Sequence, residues 1–192
     1  MSVQERKERE RAERERLIVA TARELAEQQG WDAVTTRKLA ERIEYSQPVL
    51  YSHFRGKREI IGAVALRGAA EMAVAMRAAT AAAEGPRARV GALARAYLDF
   101  AARHPAVYDA LFQLDGGLAY AQEDTPEPLK DAFAALLECL GEVSGDAVDP
   151  GLFTEVFWAS LHGVVTLTRA GRLRPEDSEA RVELLVDRLA VV

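Results

Sequence analysis

Apolar residues recur at three- and four-residue intervals along nearly the whole chain, and glycines and prolines interrupt them at regular distances. No segment carries the strict apolar–polar alternation of a half-buried strand. The pattern predicts an all-α fold of nine helices: three short elements N-terminally, then six more. The breakers set the expected bounds. Gln29-Gly30 ends the first helix, Thr35 or Thr36 caps the second, and Ser46 caps the third, which carries Pro48 in its first turn and runs to Phe54. A long Ala-rich helix follows from Arg58 to Ala83. Pro86, Pro105, Pro126 or Pro128, Pro150 and Pro175 open the remaining five. The boundary between an N-terminal domain, 1–58, and a C-terminal domain, 59–192, is expected near residue 58.

The 192 residues are enough for one large domain or two small ones. The longest run free of Asp, Glu, Lys and Arg is Val156 to Thr168, well short of the ~20 residues of a spanning helix. The Glu- and Arg-rich start excludes a secretory signal. A single cysteine, Cys139, forms no intrachain disulfide and suits a reducing compartment, the cytoplasm. Three histidines and that cysteine, scattered along the chain, give no metal-ligand spacing, so no metal or other cofactor is expected. Charge is uneven. Residues 1–58 carry thirteen basic and ten acidic side chains, whereas 59–192 carry twelve and twenty. A polyanion partner for the first third accounts for this, and so does chance variation along a chain. The charged arm, 1–16, holds six basic and five acidic residues over 5–16. It reads as a solvated helix extension, with a reach to a polyanion as the alternative.

The stretch richest in chemistry is Thr35 to Lys57, TTRKLAERIEYSQPVLYSHFRGK. Two short helices meet through a turn near Glu44-Tyr45, with Leu39, Ile43, Tyr45 and Leu50 spaced to form a small core and Ala40 small enough for close approach. This is helix-turn-helix patterning. The second helix would present Gln47, Val49, Tyr51, Ser52 and His53 to a major groove. Gln pairs bidentately with adenine, and Val meets a thymine methyl. Thr36 and Arg37, in the first turn of the preceding helix, can hold the phosphate backbone, and Tyr51, His53 and Lys57 are placed to do the same. Such patterning also occurs in ordinary helical hairpins.

Thr36-Arg37-Lys38-Leu39-Ala40, then Gln47-Pro48, then Leu50-Tyr51-Ser52-His53-Phe54 and Lys57 resemble the TetR family of one-component bacterial repressors. Gly30-Trp31-Asp32-Ala33 fits as well, and the resemblance covers roughly 15–65. It implies a three-helix DNA-binding domain, a helical effector-binding domain, and a homodimer on palindromic operator DNA. Carried over by position, the operator contacts are Thr36, Arg37, Gln47, Pro48, Val49, Tyr51, His53 and Lys57; Ser52 joins them from the exposed helix face. One position departs from the pattern: Glu44 stands in the turn that usually holds glycine, where a positive φ is uncommon for Glu.

Two later stretches, His104 to Phe112 and Trp158-Ala159-Ser160-Leu161-His162-Gly163, resemble a TetR C-terminal subtype with a Trp-x-x-x-His-Gly pattern. Trp158 and His162 share a helix face. With Phe100, His104, Tyr108, Phe112 and Phe133 they are the candidate effector contacts, for a small and largely apolar molecule. For any single one of these aromatics a packed core is the commoner role, by roughly three to one. In the family the last two helices pair with their twins, which makes Leu161, Val165, Leu185 and Leu189 the candidate dimer contacts. Three functions are weighed: a ligand-responsive repressor, a DNA-binding regulator without an effector, and an enzyme. The last finds no nucleophile motif, catalytic carboxylate pair or phosphate loop.

Overall fold

The computed structural model describes residues 2–145 and 148–189, the last of these by its backbone alone. Among them are nine α-helices and no strand: α1 (Val3–Gln29), α2 (Thr36–Arg42), α3 (Gln47–Tyr51), α4 (Lys57–Ala81), α5 (Pro86–Arg103), α6 (Pro105–Phe112), α7 (Glu127–Leu140), α8 (Pro150–Arg169) and α9 (Ser178–Leu189). Short 3-10 turns occupy Trp31–Ala33 and Pro175–Asp177. The breakers mark the junctions, with small shifts. α3 stops at Tyr51 rather than Phe54, and Pro175 opens the 3-10 turn that leads into α9.

Local chemistry explains the long α1. Ser2 and Glu5 form a capping box: the Ser2 hydroxyl accepts from the Glu5 amide, and the Glu5 carboxylate accepts from the Ser2 amide. The charged arm is therefore continuous helix, not a frayed end. Gly30, at φ 78°, ends it.

The chain separates into two compact units, one within Met1–Gly68 and His104–Pro126, the other within Ala69–Arg103 and Glu127–Val192. Contacts thus interleave segments that a single cut near residue 58 would keep apart. In the N-terminal unit, Ile18, Ala22 and Leu25 of α1 are buried with Leu39, Leu50, Ile60, Val64, Val107 and Tyr108. α6 is held to α1 by polar bonds as well. The Glu27 carboxylate accepts from the Ala106 and Val107 amides, at 3.1 and 3.3 Å, where an anion suits the helix N-terminus. The Trp31 indole N–H donates to the Ala106 carbonyl at 2.8 Å. Gly62 of α4 lies against the loop after α6, where a Cβ would collide with the Gly116 carbonyl.

In the C-terminal unit α5 packs against α7, α8 and α9, and α7 packs against α8. Tyr97, Phe157, Leu93, Leu140, Leu161 and Val186 are buried there. Arginines link helices across the surface. Arg77 bonds Asp131 and Glu138, Arg95 bonds Glu179 and Glu183, and Arg87 bonds Glu183 and Asp187. Arg77 holds both of its carboxylate partners below the usual range. No helix among the described residues is long and apolar enough to cross a membrane.

Candidate nucleic-acid interface

The interface is built by α2, the turn after it, and α3. The Thr35 hydroxyl caps α2 by accepting from the Lys38 amide at 3.2 Å. Leu39 and Ala40 face inward, and polar residues face out. α2 ends in a Schellman arrangement: the Ile43 amide donates to the Leu39 carbonyl, and the Tyr45 amide reaches back to Ala40, both at 3.0 Å. Between them Glu44 sits at φ 57°, in the left-handed region. The tight turn usually made by glycine is therefore kept, with a glutamate forced into it.

α3 is too short to stand by its own hydrogen bonds. Leu50 and Phe54, both buried, anchor it from below. The Phe54 amide donates to the Leu50 carbonyl at 2.9 Å and extends the turn past Tyr51. Ser46 begins the helix through its carbonyl, which accepts from Val49; its side chain makes no cap.

Above this anchor Gln47, Pro48, Tyr51 and Ser52 are exposed, and Val49 is half-buried. Tyr51 is 52% exposed, unusual for an aromatic with no partner surface beneath it. Its hydroxyl lies 3.4 Å from that of Thr36, so the first turn of α2 and the face of α3 meet at one edge. The Ser52 hydroxyl donates to the Val49 carbonyl. Two expected phosphate ligands have partners within the unit. Arg37 bonds Glu41 at 2.9 Å, and the Lys57 ammonium donates to the Trp31 carbonyl. His53 is half-buried, with Nδ1 enclosed and without a hydrogen-bond partner among the described residues. Burial lowers its pKa below the usual histidine value, and the nearby Arg11 lowers it further.

One contact has no signal in the sequence pattern: Arg11, on the charged arm of α1, donates to the Ser52 carbonyl at 3.1 Å. Composition makes the arm nearly neutral because it takes no account of helix face.

The seven candidate effector residues divide between the units. Phe100, Phe133, Trp158 and His162 lie in the C-terminal one. There Trp158 meets Phe133 edge to face, with centroids 6.3 Å apart, and its indole N–H donates to the Tyr97 hydroxyl at 3.1 Å. His162 is half-buried, which lowers its pKa. Phe100 is buried. His104, Tyr108 and Phe112 lie in the N-terminal unit. There the Tyr108 and Phe112 rings are 4.7 Å apart, and His104 Nδ1 is 3.3 Å from Arg23 Nη2. An open cleft of about 310 Å³ in this unit is lined by Gln29, Gly30, Trp31, Asp32, Asp109, Gln113 and Leu114, none of them a candidate residue.

The candidate dimer contacts need correction. Leu161 and Val165 are 0% and 5% exposed, turned into the core of their own unit, so neither offers a face to a second chain. Their helical stripe follows Phe157 inward; periodicity locates a stripe without saying which of two apolar stripes is covered. Leu185 is half-buried, and the Leu189 side chain lies outside the described residues.

Comparison with known proteins finds relatives for both ends of the chain. Residues 18–64 match the model "Bacterial regulatory proteins, tetR family", and residues 90–189 match "Tetracyclin repressor-like, C-terminal domain". An uncharacterized HTH-type transcriptional regulator of Mycobacterium tuberculosis is 28% identical over 176 residues, 90% of this chain and 78% of that protein. The class G tetracycline repressor protein of Vibrio anguillarum is 47% identical over 47 residues, 24% of this chain and 22% of the repressor. A solved structure of a Rhodococcus protein of unknown function superposes with a TM-score of 0.73 at 26% identity, covering 92% of this chain and 95% of that one. One family model covers the helix-turn-helix and a second spans more than half of the sequence, and the chain belongs to the TetR family of DNA-binding transcriptional regulators.

Proposed function

We propose that the chain is a homodimeric, ligand-responsive repressor of the cytoplasm, released from a palindromic operator by a small and largely apolar effector. The observation that carries this reading is the face of α3: Gln47, Pro48 and Tyr51 exposed above a buried Leu50, with Thr36 at the same edge. A dimer would set two such faces ~34–36 Å apart, one turn of B-DNA. The stripe on α8 that remains uncovered suits the second copy. Leu152, Val156 and Leu167 are exposed, and Ala159 and Gly163 lie between them at helical spacing. Leu184 adds a further exposed apolar side chain on α9. Trp158, held by the buried Tyr97 hydroxyl, supplies with Phe133 and His162 an aromatic and polar lining of the kind an apolar effector with one acceptor would use. Release would follow from a difference in effector affinity between DNA-bound and free conformers.

Footprinting of the DNA flanking the gene tests this, at two salt concentrations, with the wild type and Tyr51→Ala. The expected result is a protected palindrome whose affinity falls with salt. Tyr51→Ala should lose at least tenfold in affinity with its dimer intact, and an apolar compound set should contain a member that lifts the protection. Full affinity in Tyr51→Ala would overturn the assignment of α3. Protection unmoved by any compound would favour a regulator without an effector.

A further inference from the structure

We infer that the N-terminal extension of α1 is a second DNA-contacting element, which Arg11 docks against the end of the recognition helix and which offers Lys7 and Arg11 to the phosphate backbone. This deepens the regulator reading and rests on it.

Helix geometry comes first. Ile18, Ala22 and Leu25 form the stripe by which α1 is buried in its unit. Counting back along that stripe by turns reaches Arg14, Arg11 and Lys7. Part of the side of α1 that is apolar inside the unit thus carries basic residues where it leaves it, beside Glu15, whose charge also reaches His53. The arm's acidic residues pair with arginines along the helix, Arg6 with Glu10, Arg9 with Glu13, and Arg14 of this stripe with Glu10, which leaves Lys7 and Arg11 as its outer cations. Lys7 has no hydrogen bond or ion pair among the described residues. An arm near-neutral by composition thus presents Lys7 and Arg11 on one stripe by geometry.

The Arg11 contact fixes where the basic stripe points. Its guanidinium reaches the Ser52 carbonyl at the C-terminal end of α3, next to the exposed Tyr51. A guanidinium there offsets the negative end of a short helix. It has five N–H donors, so one carbonyl leaves the rest available. Lys7 lies one turn further out, about 6 Å along the axis, beyond the end of α3. A duplex read by α3 would carry its flanking phosphates past this end. Phosphate contacts of this kind set affinity and register and carry no sequence information.

The test uses the full-length protein and a labelled duplex of arbitrary sequence, because backbone contacts do not require the operator. Affinity is measured across a fourfold range of salt for the wild type, Lys7→Ala, Lys7→Glu and Arg11→Ala. Lys130→Ala, on the C-terminal unit, controls for the loss of one surface charge. Circular dichroism checks that the arm variants keep their helix. Each phosphate contact removed should lower the slope of log K against log salt by about 0.9. Across that salt range the fall in affinity should then shrink by about 3.5-fold per contact. Lys7→Ala and Arg11→Ala should show this, Lys7→Glu should show it at least as strongly, and Lys130→Ala should match the wild type. A wild type that binds with a steep slope, together with arm variants that keep the same slope, would overturn the arm proposal and leave the regulator intact. A wild type without salt-dependent DNA binding would remove both.

Discussion

Glu44→Gly relieves a conformation that only glycine adopts freely. Glu44 stands at φ 57° between two closing bonds, from Ile43 to Leu39 and from Tyr45 to Ala40. An L-residue in this region costs roughly 1–2 kcal/mol. The glycine variant loses part of that gain, about 0.4–1 kcal/mol, to the greater freedom of its unfolded chain. It recovers about 0.3 kcal/mol or more by removing an anion from the negative end of α2. The net expectation is a stabilisation of about 1 kcal/mol, or roughly 2–4 °C in Tm for a chain of this size. Thermal unfolding at fixed protein concentration measures it. Glu44→Gln is the necessary partner, because it removes the charge and keeps the Cβ. It should gain only the electrostatic part, a few tenths of a kcal/mol. DNA affinity separates the same two effects differently: both variants should bind more tightly and to a similar extent, since repulsion of the phosphates depends on charge and not on φ. A glycine variant no more stable than the glutamine variant would refute the strain argument.

Three further substitutions test other parts of the molecule. His53 has a folded pKa below its unfolded value near 6.5, because burial disfavours its charged form and Arg11 adds to the effect. The stability it contributes is therefore full above pH 6.5 and is lost as pH falls through the lower folded value. His53→Gln should flatten the fall in Tm between pH 7 and pH 5, and an unchanged profile would count against the buried imidazole. Leu161→Ala and Val156→Glu separate core from interface. The first should destabilise by about 2–5 kcal/mol, as a cavity in a packed core does, with its effect read by urea unfolding. The second alters an exposed side chain and should yield a folded monomer in analytical ultracentrifugation; a stable Val156→Glu dimer would move the interface elsewhere.

The sequence displayed most of the fold because its signals are local. Prolines at first turns, the Thr35 cap and the Gly30 stop all act within a few residues of themselves. The exposed face of α3 was legible for the same reason, since Leu50 and Phe54 mark the opposite side. The turn at Glu44 was read correctly as a place where a positive φ was at issue. Failures concern the third dimension. Leu161 shares a stripe with Phe157 and Val165, but α8 carries a second apolar stripe through Leu152 and Val156, and only packing decides which one is covered. That Lys57 bonds the Trp31 carbonyl was not legible, because the target is a backbone atom 26 residues away. Arg11 went unassigned because its target, the Ser52 carbonyl, is a backbone atom 41 residues away.

The bonds that tie α1 and the 3-10 turn after it to α6 join parts of the chain that are made at different times. The indole of Trp31 awaits a carbonyl 75 residues further on, and Glu27 awaits amides 79 and 80 residues further on. At ribosomal speeds of ~5–20 residues per second that interval is on the order of 4–15 s. Until α6 emerges, the inward faces of α1 and α4 lack Val107, Tyr108 and Leu111, and the Glu27 carboxylate has no helix end to cap. The DNA-binding unit, first to begin, is thus complete only once residues 104–126 have been made. A nascent chain halted after α4 carries every residue of the recognition helix without the buttress that completes its unit.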